Sequence, residues 1–355
     1  MSGVKVCNEN YCAACYFRTV AEYPNRKCLI QLTERCNLHC EHCFVSAENQ
    51  GEMMDFDKFK KQIIPQLVKN NVKKVTLTGG EPFVYPKLMD VIRLLMDENI
   101  EISLCTNATL ITKEFVQQIQ NYKSIHFNVS LDGFSADSHG AFRGNKDPRL
   151  FAVIIRNIEM LGEMGLLNGI LVTPNIYAKV EEYESICEFA KKNHAKYVLM
   201  NPLSEFGRGE LNIKLAMKNA EMEKIKDLTQ KYSDGEMEVI YIRFPNSGKK
   251  PLSECVAGKI MYIFTDGDIA YCPYLVFASS DKKSLYSRTD FIMGNIFEPN
   301  FEWEENLKKY KLPIEDEDAC MNCNEKECQK GCYAAKVSKG KRLSERDEEL
   351  CPKLN

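Results

Sequence analysis

The sequence predicts an α/β chain: a partial (β/α)6 TIM-like barrel followed by a small cysteine-rich C-terminal module. Three observations predict it. Six short β-branched runs recur between residues 28 and 201, amphipathic segments of helical period separate them, and seven cysteines gather after residue 254. Strands buried on both faces read as continuous apolar runs, and strands alternating with helices imply parallel pairing.

The runs are CLIQLT (28–33), KVTLTG (74–79), EISLCT (101–106), IHFNVSL (125–131), GILVTP (169–174) and KYVLMN (196–201). Between the first two, DFDKFKKQIIPQLVKNN (55–71) places Phe56, Phe59, Ile63, Ile64 and Leu67 at i, i+3, i+4 spacing. FAVIIRNIEMLGEMG (151–165) has the same period. Pro65 should kink or break the first of these helices. Six units fall short of the eight that close a barrel, so the expected barrel is open, with ligands at the C-terminal ends of its strands. A charged helix over about 217–232 ends it. The chain therefore divides into a cysteine-containing N-terminal extension (1–27), the barrel (28–232), a linker (233–254) where SDGE and PNSGKKP supply turn residues, and the tail (255–355).

Composition bounds the function. With 355 residues, 44% hydrophobic and 27% charged, the chain can bury one large core and a smaller one. A formal charge of -3 gives no electrostatic reason to expect nucleic acid or an anionic membrane. The N-terminus lacks a basic segment followed by an apolar run, and no stretch reaches the ~20 apolar residues of a membrane span, so a cytoplasmic location is expected. Sixteen cysteines in a chain this rich in core-forming residues read as reduced metal ligands rather than disulfides.

ERCNLHCEHCF (34–44) carries Cys36, Cys40 and Cys43, with His39 and His42 between them. A C-x3-C-x2-C motif supplies three ligands where a closed tetrahedral site needs four. Two readings follow: zinc completed by a histidine, or a 4Fe-4S cluster with one iron left open. TGGEP (78–82) ends the second run. Its glycines allow close backbone approach, and Glu81 can accept a hydrogen bond from an ammonium group, although a plain βα turn reads the same way.

A C-x3-C-x2-C after the first strand with GGEP after the second closely resembles the radical S-adenosylmethionine (SAM) enzymes. The resemblance implies an open iron that binds the amino and carboxylate groups of SAM. It also implies one-electron cleavage to a 5'-deoxyadenosyl radical, which takes a hydrogen atom from the substrate. Gly79, Gly80 and Glu81 would surround the methionyl amine, with backbone next to Phe44 facing the adenine. CTNATL (105–110) resembles the family's TNG-type turn, which implies a ribose or methionyl contact for Asn107. VSLDGFSADSHGAFRG (129–144) resembles its SLDG segment followed by arginine. That match implies Ser130 on the ribose and Arg143 on the SAM carboxylate, which a guanidinium binds bidentately. Asp132 reads equally as a functional residue or as a turn residue before Gly133, while His126 and His139 read as structural. His39 and His42 become ordinary loop residues.

The tail resembles the SPASM extension of radical SAM enzymes that modify peptides and proteins; a zinc ribbon is the plainer alternative. The resemblance implies two auxiliary 4Fe-4S clusters, hence three clusters in all. Carried over by position, Cys320, Cys323, Cys328 and Cys351 hold the distal cluster, and Cys255, Cys272 and Cys332 hold the proximal one. Two departures stand out: the Cys323 to Cys328 spacing is one residue short, and no eighth cysteine lies between Cys255 and Cys272. Cys7, Cys12 and Cys15 in VCNENYCAACYF, and Cys28 after them, could fill that vacancy or pack as small apolar residues. Cys105 and Cys187 read as core. EDED (315–318) and KVSKGKRLSER (336–346) read as solvated surface, and FEWEENLKKY as a short helix packing Trp303 on the tail.

The expected activity is radical modification of a ribosomal precursor peptide, giving a thioether or carbon-carbon crosslink or an oxidised residue, with an external electron donor such as flavodoxin or ferredoxin. Alternatives are sulfatase-maturase-like chemistry, dehydrogenation of a small molecule, or a non-enzymatic metal protein. Sulfatase-maturing relatives place an aspartate after the second tail cysteine, whereas Pro273 and Tyr274 follow Cys272 here. Tyr274, Asp266 and Asp268 remain as candidate bases. With 27 residues before the first strand, peptide recognition is expected at the barrel mouth, on the tail or on a separate protein.

Overall fold

The structure is a computed structural model. It describes residues 12–13, 24–122, 124–244, 251–253, 255, 257–315, 320–325 and 328–354. Six strands follow the predicted order: β1 (Arg26–Thr33), β2 (Val72–Gly79), β3 (Glu101–Thr106), β4 (Ile125–Ser130), β5 (Leu167–Val172) and β6 (Tyr197–Met200). Each pairs in parallel with the next. Ile30, Val75, Leu77, Ile102, Leu104, Phe127 and Val129 are wholly buried. They form one core with the apolar stripes of α1 (56–69), α2 (Leu88–Asp97), α3 (Lys113–Ile119), α5 (Pro148–Glu163) and α6 (Val180–Lys192), while Phe142 of α4 (Ala136–Arg143) packs separately with Leu203 and Leu215.

Pro65 has the expected effect on α1. A π turn, Phe59–Ile63, precedes the α segment Ile64–Lys69 that contains it. Proline lacks an N–H and crowds the preceding turn, and the wider turn absorbs both while Phe59 and Ile63 stay buried.

The sheet extends beyond the six predicted strands at both edges. Residues Glu238–Tyr241, inside the segment read as a linker, form β7 and pair in parallel with β6. Only four residues long and flanked by turn formers, this strand is too short to announce itself by alternation. At the other edge, β8 (Met261–Ile263) pairs in parallel with β1, and β9 (Asp268–Ala270) and β10 (Ile292–Asn295) continue antiparallel. The order is β10-β9-β8-β1-β2-β3-β4-β5-β6-β7. The first strands of the tail thus continue the barrel sheet.

Beyond β6 lie α7 (Asn219–Thr229), α8 (Pro273–Ser279), α9 (Trp303–Lys309) and α10 (Tyr333–Ser338). Two readings change here, the packing of Trp303 on the tail and the solvation of the run 336–346. Trp303 opens α9 as expected but is buried in the barrel core, where Gln66 of α1 donates to the Phe301 carbonyl at 3.2 Å. The run 336–346 is not solvated throughout. Lys336 is 2% exposed and donates to the Leu343 carbonyl at 3.0 Å, because α10 packs against α8 and draws Val337 and Leu343 inward. No helix among the described residues is long and apolar enough to cross a membrane.

Because β8 completes the edge of β1, barrel and tail should unfold as one unit. Truncating Ile263, fully buried on β8, to Ala is expected to cost about 2–5 kcal/mol. Urea unfolding followed by far-ultraviolet circular dichroism should then show a single transition at a lower midpoint.

Candidate active site at the strand ends

The three-cysteine loop leaves the end of β1 and is tied down on all sides. The Cys36 amide donates to the Glu48 carbonyl at 2.6 Å and the Glu41 amide to the Phe142 carbonyl at 3.0 Å. Buried Arg208 donates through Nε to the Cys40 carbonyl and through Nη1 to the Ala47 carbonyl, both at 2.8 Å, while its own amide reaches the Cys43 carbonyl at 3.0 Å. Sequence reasoning missed Arg208; its signal was the turn-forming FGRG that follows β6.

The sulfurs sit among donors. Leu38 N–H lies 3.4 Å from Cys36 Sγ and Ala47 N–H 3.4 Å from Cys43 Sγ. Asn107 Nδ2 lies 3.9 Å from Cys36 Sγ, and Arg143 Nη1 lies 4.0 Å from Cys40 Sγ. Burial pushes the Cys40 thiol up to about 12, against the pull of Arg143, and burial also raises Cys36. Such thiols stay protonated at neutral pH unless a metal ionises them. The histidines point elsewhere. His39 meets Glu48 at the surface at 3.1 Å. His42 is not an ordinary loop residue: it is buried, stacked on Phe142 at 4.0 Å, and burial drives its imidazole down to about 3. Neither completes a zinc site with the three thiols. Among the described residues, no three His, Cys, Asp or Glu side chains converge as a single ion requires. Three soft thiols with N–H donors around the sulfurs suit an iron-sulfur cluster, whose irons are separate corners.

Against this loop lies the end of β2. The Gly80 amide donates to the Thr33 carbonyl at 2.8 Å and the Glu81 amide to the Arg35 carbonyl at 2.9 Å. A Cβ on Gly79 would lie 2.2 Å from the Thr33 oxygen, and one on Gly80 2.2 Å from the Arg35 oxygen. The close approach these glycines permit is therefore to the chain's own β1 loop.

Glu81 is 1% exposed and accepts from Phe83 N–H (3.1 Å), the Thr106 hydroxyl (2.8 Å) and Asn107 N–H (2.7 Å). Even so, burial pushes its carboxyl up to about 7, so it suits a cationic partner. Asn107 also donates to Asn37 Oδ1 at 3.0 Å, joining the ends of β1, β2 and β3. Thr106 and Asn37 are site residues that the sequence did not single out.

Ser130 ends β4, and Asp132 follows it as more than a turn residue. Wholly buried, Asp132 accepts from Arg143 Nε at 2.6 Å and from the Thr173 amide at 2.7 Å. Its carbonyl accepts from Asn175 Nδ2 at 2.9 Å, and its amide donates to His139 Nδ1 at 3.1 Å. Burial raises its carboxyl, but Arg143 and the two histidines more than offset this and hold it below the usual range. His139 is structural, as expected.

In the tail, Cys255, Cys272 and Cys332 line one cavity of about 50 Å³ together with Tyr271 and Tyr274. Burial raises the Cys272 thiol, and Cys255 and Cys332 lie close enough to raise it further. Cys320 and Cys323 share a turn, and Cys323 and Cys351 both act electrostatically on Cys328. Asp347, unforeseen, joins the two sets: its carboxylate accepts from Cys332 N–H at 2.8 Å and its carbonyl from Cys351 N–H at 2.9 Å. Cys7 and Cys15 lie outside the described residues. The backbone of Cys12–Ala13 pairs with Leu252–Ser253, a few residues before Cys255. Cys28 and Cys187 are core residues.

Phe44 connects the two regions, its ring meeting Tyr274 at 5.5 Å and Phe277 at 5.4 Å. Tyr274 also lines a larger cavity, about 410 Å³, with Asn201, Phe206, Met222, Phe244 and Cys332. Asp266 and Asp268 line neither cavity. Arg288 holds them at 2.8 and 3.0 Å on the β8–β9 turn, which disfavours them as bases.

Residues 30–190 match the Radical SAM superfamily. The chain carries a radical SAM domain. Beyond the domain, similarity runs into the tail. The chain is 28% identical over 277 residues to the antilisterial bacteriocin subtilosin biosynthesis protein AlbA of Bacillus subtilis, covering 77% of this chain and 57% of AlbA. To the mycofactocin maturase MftC of Mycobacterium tuberculosis it is 23% identical over 335 residues, 90% of this chain and 81% of MftC. The chain thus spans little more than half of AlbA and most of MftC. The fold of Streptococcus suis SuiB, in a crystal structure with S-adenosylmethionine, superposes with a TM-score of 0.69 at 20% identity, over 91% of this chain and 76% of that one. The radical SAM family uses a 4Fe-4S cluster and SAM, and the radical SAM domain here gathers its motif residues at the ends of β1 to β4.

The Glu81 carboxyl gives a pH signature in the metal-free chain. Its folded value, about 7, lies above the ordinary 4.5, so its stabilising contribution is complete below about pH 4.5 and is lost as pH rises through 7. The loss is on the order of 3 kcal/mol. Urea midpoints at pH 5 and pH 8 should differ more for the wild type than for Glu81→Gln.

Proposed function

We propose that the chain is a radical SAM maturase that abstracts a hydrogen atom from a residue of a ribosomally made peptide. The product is a thioether or carbon-carbon crosslink, or an oxidised side chain. The observation that carries this reading is the placement of Tyr274. It lies between the three-cysteine loop, through Phe44, and the cavity lined by Cys255, Cys272 and Cys332. The names of the relatives support a peptide substrate, as does the structure of SuiB bound to the precursor peptide SuiA.

On this reading Cys36, Cys40 and Cys43 hold the first cluster. Cys255, Cys272 and Cys332 hold a proximal cluster, and Cys320, Cys323, Cys328 and Cys351 a distal one. Strand pairing of Cys12–Ala13 beside Cys255 supports the N-terminal segment as the source of the missing proximal ligand. Glu81 takes the methionyl ammonium of SAM, Arg143 its carboxylate, Asn107 and Ser130 its ribose edge, and the backbone at Gly79, Gly80 and Phe44 packs around it. When bound, the first cluster supplies the single electron that cleaves SAM to the 5'-deoxyadenosyl radical.

Closing a crosslink removes two hydrogen atoms. One leaves with the deoxyadenosyl group; the other leaves as a proton, which Tyr274 would take as its phenolate, and as an electron, which a cluster held by the tail thiols would accept. An external donor such as flavodoxin or ferredoxin restores the first electron.

The test is anaerobic reconstitution with iron and sulfide, then SAM, dithionite and a short peptide encoded beside the gene. Wild type should release 5'-deoxyadenosine, and the peptide should lose the mass of two hydrogens; Cys36→Ala should do neither. No 5'-deoxyadenosine above that control would sink the reading. Bound iron should approach about twelve atoms per chain, and about four would refute the tail assignment.

A further inference from the structure

We infer that Asp132 is a positioning residue for SAM: it fixes the Arg143 guanidinium between the Cys40 sulfur and the place of the methionyl carboxylate. The inference rests on the SAM-binding reading above and adds to it a residue that no motif match assigned.

Four elements meet at Asp132, the first being the end of β4 that carries it. Oδ2 takes Arg143 Nε from the last turn of α4 at 2.6 Å, and Oδ1 takes the Thr173 amide beyond β5 at 2.7 Å. Asn175 Nδ2 holds the Asp132 carbonyl from the same loop, and His139 of α4 accepts its amide. The fourth element is the three-cysteine loop, whose His42 Nε2 lies 3.7 Å from Oδ2. With both oxygens engaged and no exposure, the carboxylate has one orientation.

That orientation is passed on to Arg143. A guanidinium is planar, so anchoring Nε to a fixed carboxylate fixes the direction of both terminal nitrogens. Nη1 points at Cys40 Sγ, 4.0 Å away. No bond to Nη2 is present among the described residues, and this nitrogen is the one left to meet a carboxylate. A plain turn residue before Gly133 would not need a buried charge held from β4, β5, α4 and the cysteine loop at once.

The experiment compares SAM with decarboxylated SAM, which keeps the sulfonium and adenosine but lacks the carboxylate. Binding of each to anaerobically reconstituted wild type and Asp132→Asn is measured by calorimetry, with iron content and melting temperature recorded. Asn keeps the size of the side chain and can still accept from the Thr173 amide. Asp132→Asn should weaken SAM about tenfold, the order expected when a charge-assisted bond loses its direction, and change decarboxylated SAM little. Arg143→Lys should show the same selective loss, and the double variant should bind SAM no more weakly than Arg143→Lys alone. Should Asp132→Asn not fold, Arg143→Lys, which leaves the other bonds of Asp132 in place, carries the comparison of the two ligands.

Equal weakening of both ligands would mean that Asp132 only holds the fold, and would overturn the inference; so would unchanged SAM binding, or losses that add in the double variant. Loaded wild type that binds no SAM would overturn the SAM-binding reading itself, a result distinct from all of these.

Discussion

Two strand ends touch backbone to backbone: Gly79 and Gly80 lie against Thr33 and Arg35 with no room for a Cβ on either glycine. The rest of the site takes its position from that contact. It places Glu81 beneath the three-cysteine loop, and Glu81 in turn holds Thr106 and Asn107 at the end of β3. Asn107 then reaches back to Asn37 and toward Cys36, so the chain of contacts closes on the loop where it began. A single methyl group between β1 and β2 would push the carboxylate out of this circuit, which is a stricter demand on the sequence than any apolar position in the core.

Two carboxylates buried beside the same loop are handled in opposite ways. Asp132 has a permanent cation in Arg143 and stays ionised. Glu81 has only neutral donors, and burial leaves its charge under-compensated. Burying a charge without a counter-ion is costly, so the second environment favours a ligand that brings its own positive charge. The pair resembles a socket with one pole wired and the other waiting. On the SAM-binding reading proposed above, this asymmetry, rather than the cysteine count alone, is what would match a zwitterionic amino-acid moiety.

The parallel barrel was legible in the sequence because its strands are buried on both faces and therefore apolar throughout, and because the helices between them keep a clean period. The site was legible where chemistry needs unusual residues close together: Cys36, Cys40 and Cys43, and Gly79 to Glu81. It was not legible where ordinary residues matter only through the fold. Arg208, Thr106 and Asp347 are of this kind, since nothing local marks the groups they reach: backbone of distant loops for Arg208 and Asp347, and the Glu81 carboxylate for Thr106. β7 and β8 escaped because a three- or four-residue strand carries too few side chains to show a period, and their place is decided by partners distant in the chain. Lys336 was misread for a related reason: a lysine can be buried when a carbonyl lies at the end of its stem, and that carbonyl belongs to Leu343.

The pairing of β8 with β1 also sets an order of events during synthesis. The outer edge of β1 finds its partner only over two hundred residues later in the chain. Until then the emerging chain displays an unpaired apolar strand beside a loop of reactive thiols, and such edges recruit other strands. β8 is therefore what covers the outer edge of β1, so the sheet cannot reach its finished form before that part of the tail has been made.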